Sequence, residues 1–157
     1  VEGWQWRPDL IWYDNLSTAR TASYYVQQLY MHNRGDNVLP TTVTLPGGTP
    51  AANPVATGED GVFASAVIDK AKNEVIVKAI NTTGQAQPLR VVVTGKKLND
   101  GSTAEVYYLN CSDYDAENEP GKAEAVAPQY TTATVTDGQL LYSLSAKTFV
   151  VMRLQLK

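Results

Sequence analysis

Paired carboxylates are the working parts of sugar-cleaving enzymes, so the acids of the chain come first. Asp9 and Asp14 flank the apolar run Leu10-Ile11-Trp12-Tyr13. Five residues along a strand span about 17 Å at ~3.4 Å per residue, well beyond the roughly 5–9 Å a glycosidase pair requires. They are therefore not an acid/base pair. The most acidic stretch runs from Asp113 through Asp115 and Glu117 to Glu119, with Glu124 eleven residues after Asp113. It resembles a calcium loop loosely, but Asn118 stands where that loop needs glycine and Pro120 interrupts it. A solvated acidic loop between strands is the expectation, with no metal.

The other reactive side chains are few. His32 is the sole histidine and Cys111 the sole cysteine. No Ser-His-Asp triad can draw on more than that one imidazole, and neither a disulfide nor a multi-cysteine zinc site can form within the chain. His32 falls at the end of a helical pattern, where an imidazole helps to cap the C-terminus. Cys111 lies among polar and acidic neighbours that do not favour a thiolate. Gly47-Gly48 and Gly95-Lys96-Lys97 lack the spacing of a phosphate loop. Asn15, Asn81 and Asn110 each open an Asn-X-Ser/Thr acceptor pattern, meaningful only in a eukaryotic secretory cell. No cofactor is implied.

Composition bounds the class. The chain has 157 residues, 43% hydrophobic and 18% charged, with a formal net charge of −3. That is a globular balance without the basic footprint of a nucleic-acid binder. No apolar run nears the ~18 residues of a membrane helix. A chain of this length buries roughly 70% of its unfolded surface and needs no covalent staple.

Two zones must position whatever chemistry there is. Trp4, Trp6 and Trp12 lie in the first twelve residues, followed closely by Tyr13, Tyr24, Tyr25 and Tyr30. The run 10–13 is continuous and apolar, as in a strand buried on both faces of a parallel sheet. Residues 17–23 are small and polar, and Ser23 is placed to cap a helix over Tyr25, Val26, Leu29 and Tyr30 that stops at Asn33 and Gly35. One strand and one short helix cannot make a core. Between residues 36 and 60, Pro40, Pro46, Gly47, Gly48, Pro50 and Pro54 suggest a connector or a meandering edge.

The second zone is antiparallel β by its alternation. Runs at 61–68, 74–80, 89–93, 104–109, 130–135, 140–144 and 148–156 are separated by turns without helices, the signature of a β-sandwich. In the last run Val150, Met152, Leu154 and Leu156 share one face. Lys96-Lys97 and scattered prolines are available to protect the sheet edges.

Longer motifs add a resemblance. The stretch Gly3-Trp4-Gln5-Trp6-Arg7-Pro8-Asp9-Leu10-Ile11-Trp12-Tyr13-Asp14-Asn15, then Ser23-Tyr24-Tyr25-Val26-Gln27-Gln28 and Asn33-Arg34-Gly35-Asp36, resembles the last part of the α-L-arabinofuranosidases of glycoside hydrolase family 51. Asp115-Ala116-Glu117-Asn118 with Val126-Ala127-Pro128 is similar to that family's C-terminal domain. So is the ending Ser143-Leu144-Ser145-Ala146-Lys147-Thr148-Phe149-Val150-Val151, with Ala146 and Lys147 in place of prolines.

The resemblance implies a mainly β fold: an antiparallel, jelly-roll-like β-sandwich over residues 39–157. Before it, residues 1–38 would be a strand-loop-helix unit left from the end of a (β/α)₈ barrel. The family's retaining enzymes release terminal α-L-arabinofuranosyl groups from arabinan and arabinoxylan, using two glutamates on barrel strands that would lie upstream of Val1. This chain would carry no catalytic residue and be inactive alone. Its partners would be the catalytic barrel and an arabinose-bearing glycan, and the resemblance admits a homo-oligomer and a periplasmic or secreted location. Asp14 and Asn15 would either line the sugar pocket or order the loop into the following helix; Trp4, Trp6, Trp12 and Tyr25 would pack the domain junction. A carbohydrate-binding sandwich is the competing reading, with Tyr107, Tyr108, Tyr114, Tyr130 and Tyr142 as its aromatic material.

Overall fold

The computed structural model describes residues 10–13, 15–44, 51–52, 61–111, 113 and 115–157. Asp9, Asp14, Trp4 and Trp6 lie outside these, as does Tyr114. In chain order the elements are β1 (Ile11–Tyr13), β2 (Thr18–Arg20), α1 (Ala22–His32), β3 (Asn37–Leu39), β4 (Thr42–Val43), β5 (Ala51–Ala52) and β6 (Val62–Asp69). They continue with β7 (Glu74–Asn81), β8 (Gln87–Val92), β9 (Thr103–Asn110), β10 (Gln129–Thr136), β11 (Gln139–Leu144) and β12 (Thr148–Gln155).

Eight strands form one curled antiparallel sheet in the order β3-β6-β7-β12-β9-β10-β11-β8. The curl happens within β10. Its residues 129–134 pair with β9, whereas Val135 and Thr136 pair with β11. A strand that changes partners midway turns the corner of a sandwich. The short layer β11–β8 thereby folds back, and Leu140, Leu144 and Val135 meet Val77, Val106, Val150 and Met152 in one dry core. Asp137 and Gly138 both have positive φ (55° and 69°) and alone connect β10 to β11. Two left-handed residues are what a tight hairpin matching the strand twist demands, and glycine adopts that conformation without penalty.

The long layer is covered on its other face as well. Alternation sends Val150, Met152 and Leu154 of β12 into the sandwich, while Phe149, Val151 and Arg153 point to α1. The face shared by Val150, Met152, Leu154 and Leu156 is in the core as expected, and the opposite face is covered too because β12 is central. Tyr25 and Leu29, four residues apart on α1, pack on Ile76, Phe149 and Val151. The helix is capped by Thr21, not by Ser23: the Thr21 hydroxyl accepts from the Tyr24 amide at 3.2 Å and donates to the Leu10 carbonyl at 3.0 Å. Residues 17–23 are not simply a loop, since they contain β2.

Two further expectations need correction. The run at 10–13 is not buried on both faces. β1 pairs antiparallel with β2, and Ile11 and Tyr13 are exposed, because no described element other than β2 pairs with it. The Pro/Gly-rich segment opens as the edge its composition allows: β3 joins the long layer beside β6. Lys96 and Lys97 sit in a loop, not on an edge strand. The edges are β3, three residues long, and β8, which carries the edge-protecting Pro88.

Gly35 is required by a close approach. A Cβ there would lie 2.5 Å from the Ile68 carbonyl oxygen, where the chain leaving α1 crosses the end of β6. The crossing is fixed by Asp36, whose amide donates to that same oxygen at 2.7 Å and whose carboxylate accepts from the Lys70 amide at 2.7 Å.

Candidate functional site

Among the described residues, several polar and charged side chains gather on the helix-covered face of the long layer and along its rim. At one end lies the junction between the hairpin β1–β2, helix α1 and the 111–128 loop. Tyr25 is 4% exposed, and its hydroxyl donates to the Glu124 carboxylate. Burial, and after it the facing Glu124, raises the Tyr25 pKa. The Arg20 guanidinium lies 4.0 Å from the same carboxylate and 5.7 Å from the centre of the Tyr24 ring.

Asn118 closes this junction. Its side chain is buried and donates to the Arg20 carbonyl at 2.7 Å and the Val126 carbonyl at 2.6 Å, while accepting from the Val126 amide at 2.8 Å. Both sides of the amide are thus used, and one residue of the acidic loop latches the loop to β2. Its neighbours Asp115, Glu117 and Glu119 are exposed, and Glu119 pairs with Lys122 at 2.7 Å. Among the described residues no three acid, histidine or cysteine side chains are arranged to hold a metal ion.

Of the expected site residues, Asn15, Trp12 and Tyr25 are among those described. Asn15 is exposed in the bend between β1 and β2. Trp12 is half-buried in β1 opposite Ala19. Tyr25 lies across the helix, in the apolar cluster with Val126, Phe149 and Val151. Of the three Asn-X-Ser/Thr asparagines, Asn81 is fully buried and donates to the carbonyls of Gln85, Leu144 and Ser145 at 2.8, 3.2 and 2.9 Å. Asn110 bonds the Ala146 carbonyl at 2.9 Å and also Thr148. Only Asn15 among them is exposed. His32 ends α1 at the surface, and Cys111 packs against the helix-side cluster.

Two buried cations were not anticipated. Arg153, 8% exposed, is held by Asn33 at 3.0 Å, by Glu74, by Asp69 at 3.6 Å and by Glu105 at 3.9 Å. Lys78, 6% exposed, lies with its ammonium 4.8 Å from the centre of the Tyr30 ring. The available signal was a charge interrupting an apolar run, Val75 to Ile80 for Lys78 and Val150 to Leu156 for Arg153. A polar residue amid such a run marks a buried charge with a partner or a purpose.

Further along, Tyr107 and Tyr130 face each other across β9 and β10, ring centres 5.2 Å apart and inclined at 55°. Tyr130 is exposed, and the Tyr107 hydroxyl donates to Glu105 at 3.3 Å. Tyr108, on the opposite face, donates to Gln129 at 2.8 Å.

The family model described as α-L-arabinofuranosidase C-terminal domain matches residues 1–147. The α-L-arabinofuranosidase A of Aspergillus niger is 29% identical over 156 residues, covering 97% of this chain and 21% of its own. The extracellular exo-α-L-arabinofuranosidase of Streptomyces chartreusis is 43% identical over 58 residues, 37% of this chain and 7% of its own. Among solved structures, an arabinose-bound GH51 α-L-arabinofuranosidase superposes with a TM-score of 0.69 at 25% identity, over 98% of this chain and 22% of that one. The GH51 arabinofuranosidase from Xanthomonas axonopodis pv. citri shares the fold, with a TM-score of 0.70 at 23% identity over 93% of this chain and 28% of that one. The chain thus spans about a fifth of the length of the curated relatives that match it throughout.

Proposed function

Because the chain belongs to the family of α-L-arabinofuranosidase C-terminal domains, we propose that it braces the catalytic domain of a larger retaining glycoside hydrolase acting on terminal α-L-arabinofuranosyl groups of arabinan- and arabinoxylan-type glycans. The observation that carries this reading is the apolar surface of the hairpin β1–β2. Ile11 is 43% exposed, Tyr13 72% and Leu16 98%. Three large apolar side chains within six residues mark a surface that another body covers. In this reading residues 1–38 complete a (β/α)₈ barrel supplied by the rest of the enzyme, and residues 39–157 hold the barrel's last helix from outside.

Active sites of such barrels lie at the C-terminal ends of the strands. Asp14 and Asn15 follow β1 at that end, which would place them on the rim of the sugar pocket. The acid, base and nucleophile belong to the rest of the enzyme, so the 157-residue chain alone should release nothing from an aryl arabinofuranoside. The test is the double variant Tyr13→Asp/Leu16→Asp made in the whole enzyme. Lost activity and a lowered Tm are expected, while wild-type values for both would refute the brace.

A second reading, a sandwich that binds glycan itself, is favoured by the exposed Tyr130 paired with Tyr107 beside the Glu105 carboxylate. An aromatic face next to an acceptor is the chemistry that stacks on and hydrogen-bonds a sugar. Affinity electrophoresis of the chain in arabinan, arabinoxylan and an unrelated glucan tests it. Retardation by the first two alone, abolished by Tyr130→Ala, would establish this reading; equal mobility in all three would remove it.

A further inference from the structure

A cleft of about 310 Å³ opens beside α1, between the helix and the β6–β7 hairpin. Val26 and Tyr30 of α1 form one wall, Phe63 and Ser65 of β6 another, and Ile80 and Phe149 complete it. β3 stops short of this part of β6. Its pairing with β6 ends at Leu39 opposite Ala66, so Phe63, Ala64 and Ser65 lie beyond its reach. The Tyr30 ring stacks on Phe149, 5.6 Å centre to centre and nearly parallel, which fixes the aromatic wall in place.

Lys78 lines this apolar cleft. It is more than nine-tenths buried, and among the described residues no carboxylate pairs with it; its ammonium lies over the Tyr30 ring. Arg153, one strand away on the same face, is surrounded by three carboxylates, so the sheet supplies anions to one buried cation and none to the other. A buried charge is costly unless it is paired. Burial lowers the Lys78 pKa from its ordinary value.

We propose that this cleft is a binding site for a small carboxylic acid with an apolar body the size of a single ring, its carboxylate pairing with the Lys78 ammonium and its body lying against Tyr30, Phe63 and Phe149. The volume supports that size: a dry cavity of roughly 150 Å³ accepts benzene, and this one has room for a ring with a charged substituent. Apolar walls with one fixed polar group are the ordinary construction of a small-molecule site. The site lies where α1 meets the sandwich, apart from the β1–β2 hairpin and from the Tyr107–Tyr130 surface.

The test is titration of the 157-residue chain with benzoate, benzyl alcohol and inorganic phosphate, followed by amide and aromatic NMR shifts. Benzoate should saturate, with Kd on the order of 1 mM, and move resonances of residues 63–65, 78–80 and 149. Benzyl alcohol and phosphate should bind at least tenfold more weakly, since each offers half of the recognition. Lys78→Met should erase the preference for the acid over the alcohol. Ser65→Phe, which fills the cleft and keeps the charge, should abolish binding of both and serves if Lys78→Met does not fold. Absence of a saturating benzoate shift, equal binding of phosphate, or an unchanged benzoate Kd in either variant would overturn the proposal.

Discussion

The Arg153 guanidinium donates from Nη1 to Oδ1 of Asn33 at 3.0 Å, joining residues 120 positions apart. Asn33 is at the same time the C-cap of α1: its amide and its Nδ2 both donate to the Leu29 carbonyl, at 3.1 and 2.9 Å. One asparagine therefore ends the helix and ties it to the central strand. The arginine it engages is neutralised by Glu74 and Asp69 at the mouth of the β6–β7 hairpin. Helix, hairpin and last strand share a single buried polar node.

Removing either end of that contact should loosen α1 without dissolving the sandwich. Asn33→Ala leaves a buried guanidinium N–H without its acceptor and removes one of the two donors to the Leu29 carbonyl, which keeps the backbone amide, a loss of about 1–3 kcal/mol. Arg153→Ala uncovers carboxylates that the arginine neutralised, and should cost more, about 3–5 kcal/mol. Urea unfolding of both variants checks the order; an Arg153 variant milder than the Asn33 variant would contradict it.

Asn118 is the latch of the acidic loop. Asn118→Ala strands two carbonyls and one amide, so a loss of about 2 kcal/mol is expected. Asn118→Asp should be nearly as damaging, because it keeps the acceptor for Val126 but cannot donate to Arg20 or Val126. Thermal melts and amide exchange across residues 113–127 are the measurements, with faster exchange there and at β2 as the result.

Lys78→Met should stabilise the chain at neutral pH. The native pKa of Lys78 lies below its ordinary 10.5, so the folded state gives up its proton earlier than the unfolded state does. Where the unfolded state binds more protons, stability rises with pH. The penalty of the buried charge is therefore full below the native pKa and shrinks as pH rises through it toward 10.5. The variant should melt a few degrees higher at pH 7, each kcal/mol being worth about 2–4 °C at this size. That advantage should narrow at alkaline pH. A constant difference across pH would contradict the account.

Gly35→Ala places a methyl 2.5 Å from the Ile68 carbonyl oxygen, a backbone atom that cannot swing aside. Overpacking of this kind costs about 1–3 kcal/mol. Its effect should appear as a lowered Tm with faster amide exchange at Asp36 and Lys70, the two donors of the crossing. An unchanged Tm would show that the crossing yields freely.

Much of the sandwich is written in period-two alternation. The 61–68 and 74–80 runs correspond to β6 and β7 within a residue, and the 104–109, 130–135 and 140–144 runs to β9, β10 and β11. β2, β3, β4 and β5 escape because two or three residues carry no period. The start of β8 is obscured by Pro88, which an edge strand tolerates. The Leu10–Tyr13 run illustrates a different limit: composition records how apolar a strand is, not whether the body that covers it is on the same stretch of chain. The junction was legible only in part. Tyr25 follows from helical spacing, but the partners of Asn118, Arg153 and Lys78 are set by which strands become neighbours, and β12 reaches β7 across more than sixty residues.

The central claim is that the β1–β2 hairpin completes a body supplied by the rest of the enzyme. Hydrogen–deuterium exchange of residues 10–20, compared between the 157-residue chain and the whole enzyme, tests it most directly. The account predicts fast exchange in the chain alone and protection by at least a hundredfold in the enzyme, with β7 and β12 equally protected in both. The same hairpin rates in both proteins would contradict it.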